Sequence, residues 1–315
     1  MTISPNITAR GSAAPNGAGP DVQEYIPVKQ PFNFGRWFRA TGWRHLVGAV
    51  MVVFSAFPLL YVLSASLHPG GTLITANGLF SEVDLGSYIT LFNLPQQPYA
   101  AWYGNTLLIG GITSIGTVFL GALAAYSFSR MRFVGRRTGL LMLVLVQMFP
   151  QLLAVVAIFL LLNGISDIFP AIGLDTQIGL IMVYLGGALG VNTYLMYGFF
   201  NTIPASIDEA AKLDGAGHAR IFFTIILRLV APILAVVGLL SFVGTTNEFV
   251  IASIVLITPE KQTLAVGLYQ FVSQEFSSNY SVFAAGAVLA ALPVMALFLW
   301  LQKYIVGGLT AGSVK

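Results

Sequence analysis

The sequence predicts an all-α membrane protein that crosses the bilayer six times and keeps both ends in the cytoplasm. Three observations lead there. The 315 residues are 56% hydrophobic and only 9% charged, against about 25% charged in soluble domains. Six stretches contain no Asp, Glu, Lys or Arg: Leu46–Leu67, Asn105–Ser127, Gly139–Leu162, Gln177–Phe200, Leu229–Asn247 and Tyr280–Leu301. Each is long enough as a helix to cross about 30 Å of hydrocarbon, and a helix satisfies its own backbone in lipid. Finally, fourteen of the fifteen Lys and Arg fall before the first stretch, in alternate loops or after the last, and only Lys261 lies on the other side. Basic residues stay in the cytoplasm, which sets the orientation.

Residues 1–44 are polar and rich in Gly, Pro, Ala and Ser. They are expected to form a mostly disordered cytoplasmic tail, ahead of a six-span domain over 45–315. Within the tail, Phe32 to Trp43 mixes aromatics with Arg36 and Arg39. It reads either as a segment lying on the membrane surface or as an ordinary basic flank. Pro58, Pro150 and Pro293 fall inside spans and each removes a backbone hydrogen bond. Small residues suit close helix packing in lipid. They recur as Gly110, Gly111, Gly116 and Gly121, as Gly186 and Gly190, and as Ala287 and Ala291.

Several chemistries are excluded. There is no cysteine, so no disulfide, thiolate metal site or Cys nucleophile. No Walker A, H-E-x-x-H or nucleophile-elbow pattern occurs. The three histidines, His45, His68 and His218, are far apart. No ionisable residue is placed mid-membrane; Glu248 is expected at the outer end of the fifth span as an interfacial carboxylate. Interior polar groups are uncharged: Gln147, Asn192, Ser114 and Thr117. They suit either a path for a neutral polar solute or ordinary interhelical hydrogen bonds. A conduit without a motor is the result. A stand-alone secondary transporter would want a mid-membrane carboxylate, and a membrane enzyme would want a cluster of catalytic groups.

The longest basic-side loop therefore carries weight. Residues 201–228 contain Pro204 as a start signal, Ser206-x-x-Glu209 as a capping box and Gly215 as a stop. A short helix over about 204–215 is expected outside the membrane. On physics alone it is either a linker or a docking element.

Glu209-Ala210-Ala211-x-x-x-Gly215, followed by Ile225 and Leu227, resembles the EAA loop of ATP-binding-cassette importer permeases. Lys212-Leu213-Asp214-Gly215-Ala216 resembles the carbohydrate branch of that family. Pro232-Ile-Leu-Ala-Val-Val, Thr263-Leu-Ala-Val-Gly267 and Val306 to Lys315 resemble the smaller permease subunit of maltose/maltodextrin transporters. The likeness covers roughly residues 46–315. Arg228 departs from it, because proline usually follows that leucine.

The resemblance implies the type I importer permease fold and a role as the non-enzymatic transport subunit of a maltose/maltodextrin importer in a bacterial inner membrane. Trehalose or another disaccharide is the alternative cargo. It implies that Glu209, Ala210, Ala211, Leu213, Asp214 and Gly215 belong to a coupling helix that docks on an ATPase. Gly308, Leu309, Thr310, Ala311, Gly312 and Ser313 would form a tail contacting the ATPase. Thr258, Pro259, Glu260, Lys261 and Gln262 would form a loop facing an external binding protein. The implied partners are a second homologous permease, an ATPase homodimer, a sugar-binding protein and membrane lipid, with no nucleic acid. No cofactor or metal is expected in this chain; ATP and Mg would sit on the ATPase.

Overall fold

The computed structural model describes residues 34–69, 78–149, 151–188, 190–273 and 280–311. The chain divides into two compact units, residues 1–55 and 56–315. In the first, α1 (Phe34–Trp37) leads through a π-helical turn (Phe38–Gly42) into α2 (Trp43–Ser66), whose residues from Ala56 on belong to the second unit. The tail expected to be disordered lies, up to residue 33, outside the described residues. Within that unit the Arg44 guanidinium sits 5.9 Å from the centre of the Trp43 ring.

The second unit is helical, with no strand among the described residues. In order come α3 (Gly86–Asn93), α4 (Tyr99–Arg130), α5 (Arg136–Gln147), α6 (Gln151–Ser166), α7 (Gln177–Ala188) and α8 (Val191–Phe200). Then follow α9 (Ala205–Leu213), α10 (His218–Arg220), α11 (Leu227–Leu229), α12 (Ala231–Asn247), α13 (Val250–Val255), α14 (Leu264–Ser273) and α15 (Tyr280–Ala311).

Among the described residues three helices are long and apolar enough to cross a membrane, α2, α4 and α15, or up to five spans if each of two bent pairs counts as one. Six continuous spans are not found among the described residues. The expected third span is divided into α5 and α6, with Met148 and Phe149 non-helical between them and Pro150 outside the described residues. The fourth is α7 and α8, bent by 51°. The fifth is α12, preceded by a 79° bend from residues 218–229. That bend forms with Arg228 in place of proline, and Pro232 lies in the first turn of α12, where a missing N–H costs nothing. Pro58 and Pro293 stay inside α2 and α15.

Helix α4 is the spine. It packs against α12, α8 and α7, and α15 covers α12, α3 and α14. Close approach depends on small residues. A Cβ at Gly110 would lie 3.1 Å from Phe242, and one at Gly116 2.6 Å from Leu185. Gly111 and Gly186 face open space instead. Buried polar contacts fasten the layers: Tyr99 donates to the Gly286 carbonyl at 2.8 Å, and Thr106 Oγ1 accepts from the Leu264 N–H at 2.7 Å. Outward positions carry Leu153, Val156, Leu160 and Leu161 on α6 and Phe298, Leu299 and Trp300 on α15, all well exposed. So large an apolar surface is untenable in water and natural in lipid.

Candidate functional site

Helix α9 begins at Ala205, one residue before Ser206. Pro204 holds the cap position without any side-chain cap. The capping box expected from Ser206 and Glu209 does not form, because an N-cap residue must lie outside the helix and Ser206 is inside it. The C-terminus behaves as expected. Gly215 adopts φ of +80°, its N–H donates to Lys212, and the Ala216 N–H donates to Ala211 at 2.9 Å. This paired closure, with a left-handed glycine just past the end, stops the helix sharply.

The helix has two faces. Asp208 and Ala211 are buried, and Ala211 packs with Ala122, Ala125 and Tyr126 in the core shared by α4, α8 and α12. Glu209, Ala210, Lys212, Leu213, Asp214 and Gly215 are exposed, with Leu213 at 90%. Five of the six residues expected to contact a partner thus share an open surface, and Ala211 turns the other way.

Asp208 was not singled out by sequence. Its carboxylate Oδ2 lies 2.9 Å from Nε of Arg130, with both side chains about nine-tenths buried. No linear hydrogen bond aligns between them, so the attraction is that of two charges. Arg130 Nη2 also donates to the Ile203 carbonyl at 2.9 Å. Next to the pair is a cavity of about 580 Å³ lined by Arg132, Arg136, Lys212, His218 and Glu209, among others. A hint was available in sequence: Asp208 precedes Glu209 on a nine-residue helix, and Arg130 ends a long apolar run.

At the opposite end of α4, Thr258, Pro259, Glu260, Lys261 and Gln262 form a tight turn containing a 3-10 segment over Pro259–Lys261. Asp175, at the start of α7, gathers it in. Its carboxylate accepts from the Ile257 and Thr258 N–H groups, from Thr258 Oγ1 at 2.6 Å and from Lys261 Nζ at 2.9 Å. Burial pushes the Asp175 carboxyl up, but the hydrogen bonds from Thr258, Lys261 and Ile257 prevail and hold it at about 2. Trp102 Nε1 donates to the Pro259 carbonyl and Asn105 Nδ2 to those of Glu260 and Gln262. Pro259, Glu260 and Lys261 remain exposed on this fastened base.

The third set expected from sequence divides. Gly308, Leu309, Thr310 and Ala311 continue α15 as helix, while Gly312 and Ser313 lie outside the described residues.

Between the two ends lies a polar cavity of about 440 Å³, lined by Thr113, Thr117, Tyr184, Asn192, Ser241 and Glu248 among others. Glu248 is not free. It accepts from Tyr184 Oη at 2.5 Å and from the N–H groups of Ile251 and Ala252 at 2.8 and 3.0 Å, so it caps α13. Gln147 bonds to Gly187 and Val191 across the α7–α8 break, and Ser241 donates to Thr117 at 3.1 Å. Among the described residues there is no cluster of His, Cys, Asp and Glu able to hold a metal.

The described residues form an all-helical bundle with helices long and apolar enough to cross a bilayer, the class of an integral membrane protein. Residues 117–310 match the family described as "Binding-protein-dependent transport system inner membrane component", and the chain belongs to it. It is 40% identical over 272 residues to the galactooligosaccharides transport system permease protein GanQ of Bacillus subtilis, covering 86% of this chain and 94% of that one. It is 40% identical over 259 residues to the maltodextrin transport system permease protein MdxG of the same organism, covering 82% and 90%. The maltose/maltodextrin transport system permease protein MalG of Vibrio vulnificus is 41% identical over 271 residues, covering 82% and 90%. The fold resembles a chain in the crystal structure of a bacterial ABC transporter involved in import of the acidic polysaccharide alginate. That match has a TM-score of 0.71 at 23% identity and covers 87% of this chain and 99% of the other.

Proposed function

We propose that this chain is one permease subunit of an ATP-driven importer of neutral oligosaccharides, with maltose and maltodextrins as the first cargo to test and other disaccharides, trehalose among them, as the alternative. The observation that carries this is 40% identity to sugar permeases sustained over more than four-fifths of the chain. The lining of the central cavity agrees, since its polar groups are hydroxyls, one amide and a single carboxylate already committed to Tyr184 and two backbone donors.

In this reading the chain spans an inner membrane six times, α5 with α6 and α7 with α8 each counting as one crossing, and α9 lies in the cytoplasm. The exposed face of α9 docks on an ATPase, which binds ATP and Mg. The tail from Gly308 to Ser313 reaches the same subunit. The turn from Thr258 to Gln262 faces an external sugar-binding protein, and a homologous permease completes the path. An ATPase that closes on ATP can shift the permease between two arrangements only if it contacts them differently, and α9 supplies that contact.

The test is ATP hydrolysis by the detergent-purified complex that accompanies this chain, with and without maltose-loaded binding protein from the same organism. Stimulated hydrolysis is expected. A chain that purifies with no ATPase, and that cannot be crosslinked to one in membranes, would refute the assignment.

A further inference from the structure

The position of Arg130 carries a consequence beyond docking itself. Its side chain touches α9 and the chain just ahead of it. Nε faces the Asp208 carboxylate at 2.9 Å, and Nη2 donates to the Ile203 carbonyl at 2.9 Å, just ahead of the helix. One residue earlier, Ser129 Oγ donates to Asn201 Oδ1 at 3.1 Å. The last two residues of α4 therefore hold the end of α8, the connection at Ile203 and the first turn of α9. The dipoles cooperate, because a cation at the C-terminus of α4 and an anion in the first turn of α9 each oppose the local helix charge.

The other end of α9 is held differently. Gly215 adopts positive φ and Gly217 follows shortly after, and a Cβ at either would meet nothing within 4 Å. Only then does the chain turn through α10 and α11 towards α12. One end of α9 is clamped to the spine of the bundle, and the other leaves through two glycines.

Asp208 is 5% exposed, and neither oxygen has an aligned hydrogen bond. Burying such a carboxylate is costly without its counter-ion, so Arg130 and Asp208 must keep company through any movement of either helix. Pairs of this kind often contribute little net stability over an apolar pair of similar size. That leaves mechanical registration as the role to test.

We propose that Arg130 is a positioning residue that joins α9 to the end of α4, so that a displacement of α9 is delivered to α4 rather than absorbed at the loop. This rests on the reading of α9 as the helix that docks on the ATPase.

The test uses the full complex in proteoliposomes and measures sugar uptake per ATP hydrolysed. The paired variant Arg130→Met with Asp208→Leu removes both charges and leaves an apolar contact. It should assemble with the ATPase and hydrolyse ATP, while uptake per ATP falls roughly fivefold or more, the low end of typical coupling energies. Arg130→Lys keeps the charge but cannot make both contacts, and should lie between the two. If the paired variant fails to assemble, Arg130→Lys decides: reduced uptake per ATP supports the proposal and unchanged uptake overturns it. If the paired variant assembles and couples as the wild type does, Arg130 is only structural and the proposal fails. The chain has no native cysteine, so Leu213→Cys on the exposed face of α9 gives a separate control. If the otherwise wild-type complex shows no crosslink from that position to the ATPase, the docking reading itself is wrong, and the proposal falls with it.

Discussion

A single added methyl group at Gly267 should measurably loosen the fold. Gly267 lies in α14 against the fully buried ring of Trp102 on α4. A Cβ there would fall inside the contact distance of ring atoms Cδ2 and Cε3, and only 2.6 Å from Cζ3. Carbon atoms rest about 3.5–4.0 Å apart, so the ring must retreat by about 1.5 Å. It has little room, since Phe271 packs edge-on with ring centres 6.2 Å apart. Its Nε1 is also bonded to the Pro259 carbonyl at 2.7 Å. Overpacking costs about 1–3 kcal/mol and a broken hydrogen bond about 1 kcal/mol more. Gly267→Ala should therefore lose about 2–4 kcal/mol in total. The assay is thermal unfolding of the purified protein in detergent. Gly104→Ala on α4, where a Cβ meets nothing within 4 Å, is the control and should be neutral or gain up to about 1 kcal/mol. Trp102→Phe should shrink the penalty at 267, giving a coupling in a double-mutant cycle. Equal melting temperatures for Gly267→Ala and the wild type would refute this account of the α4–α14 contact.

Three further outcomes are expected. Gly215→Asp should permit insertion and folding, since its neighbourhood is open and Asp tolerates positive φ, but should uncouple ATP hydrolysis from uptake; normal transport by this variant would argue against α9 as the coupling element. Leu213→Glu changes a side chain that is 90% exposed, so the melting temperature should stay constant while retention of the ATPase during purification drops. The Asp175 carboxyl sits at about 2, below its ordinary 3.8, so its contribution is fully present above about pH 4 and is lost as pH falls through about 2. Amide exchange at Ile257 and Thr258 should be slow and constant between pH 5 and 8 once corrected for intrinsic rates. Asp175→Asn should speed it across that whole range.

Much was legible in one dimension. Membrane residence follows from apolar runs without charge, because charge burial in lipid is costly wherever the run sits. The short helix and its glycine stop were readable because capping is a local matter: Gly215 takes the left-handed conformation that few other residues adopt cheaply. Family membership rides on the same local runs, Glu209-Ala210-Ala211 and Thr263 to Gly267.

Other features required the packed chain. The third stretch, divided between Gln147 and Gln151, carried Pro150 as a visible mark, but the fourth bends inside a stretch with neither charge nor proline, and hydropathy does not register a bend. Ser206 looked like a cap, yet Pro204 sets the helix start one residue ahead of it. Glu248 was expected at the end of the fifth stretch and lies just past α12, but its bonds to the first turn of α13 and to Tyr184, 64 residues away, were not legible. Arg130 with Asp208 and Asp175 with Thr258 join residues 78 and 83 positions apart. Sequence alone determined that this is a helical membrane protein, because hydropathy acts within a few residues, and its likeness to permeases is carried by short local motifs. Which charge meets which, and which face of α9 stays open, was decided by tertiary structure, because those energies depend on distance and burial, which neighbours in sequence do not specify.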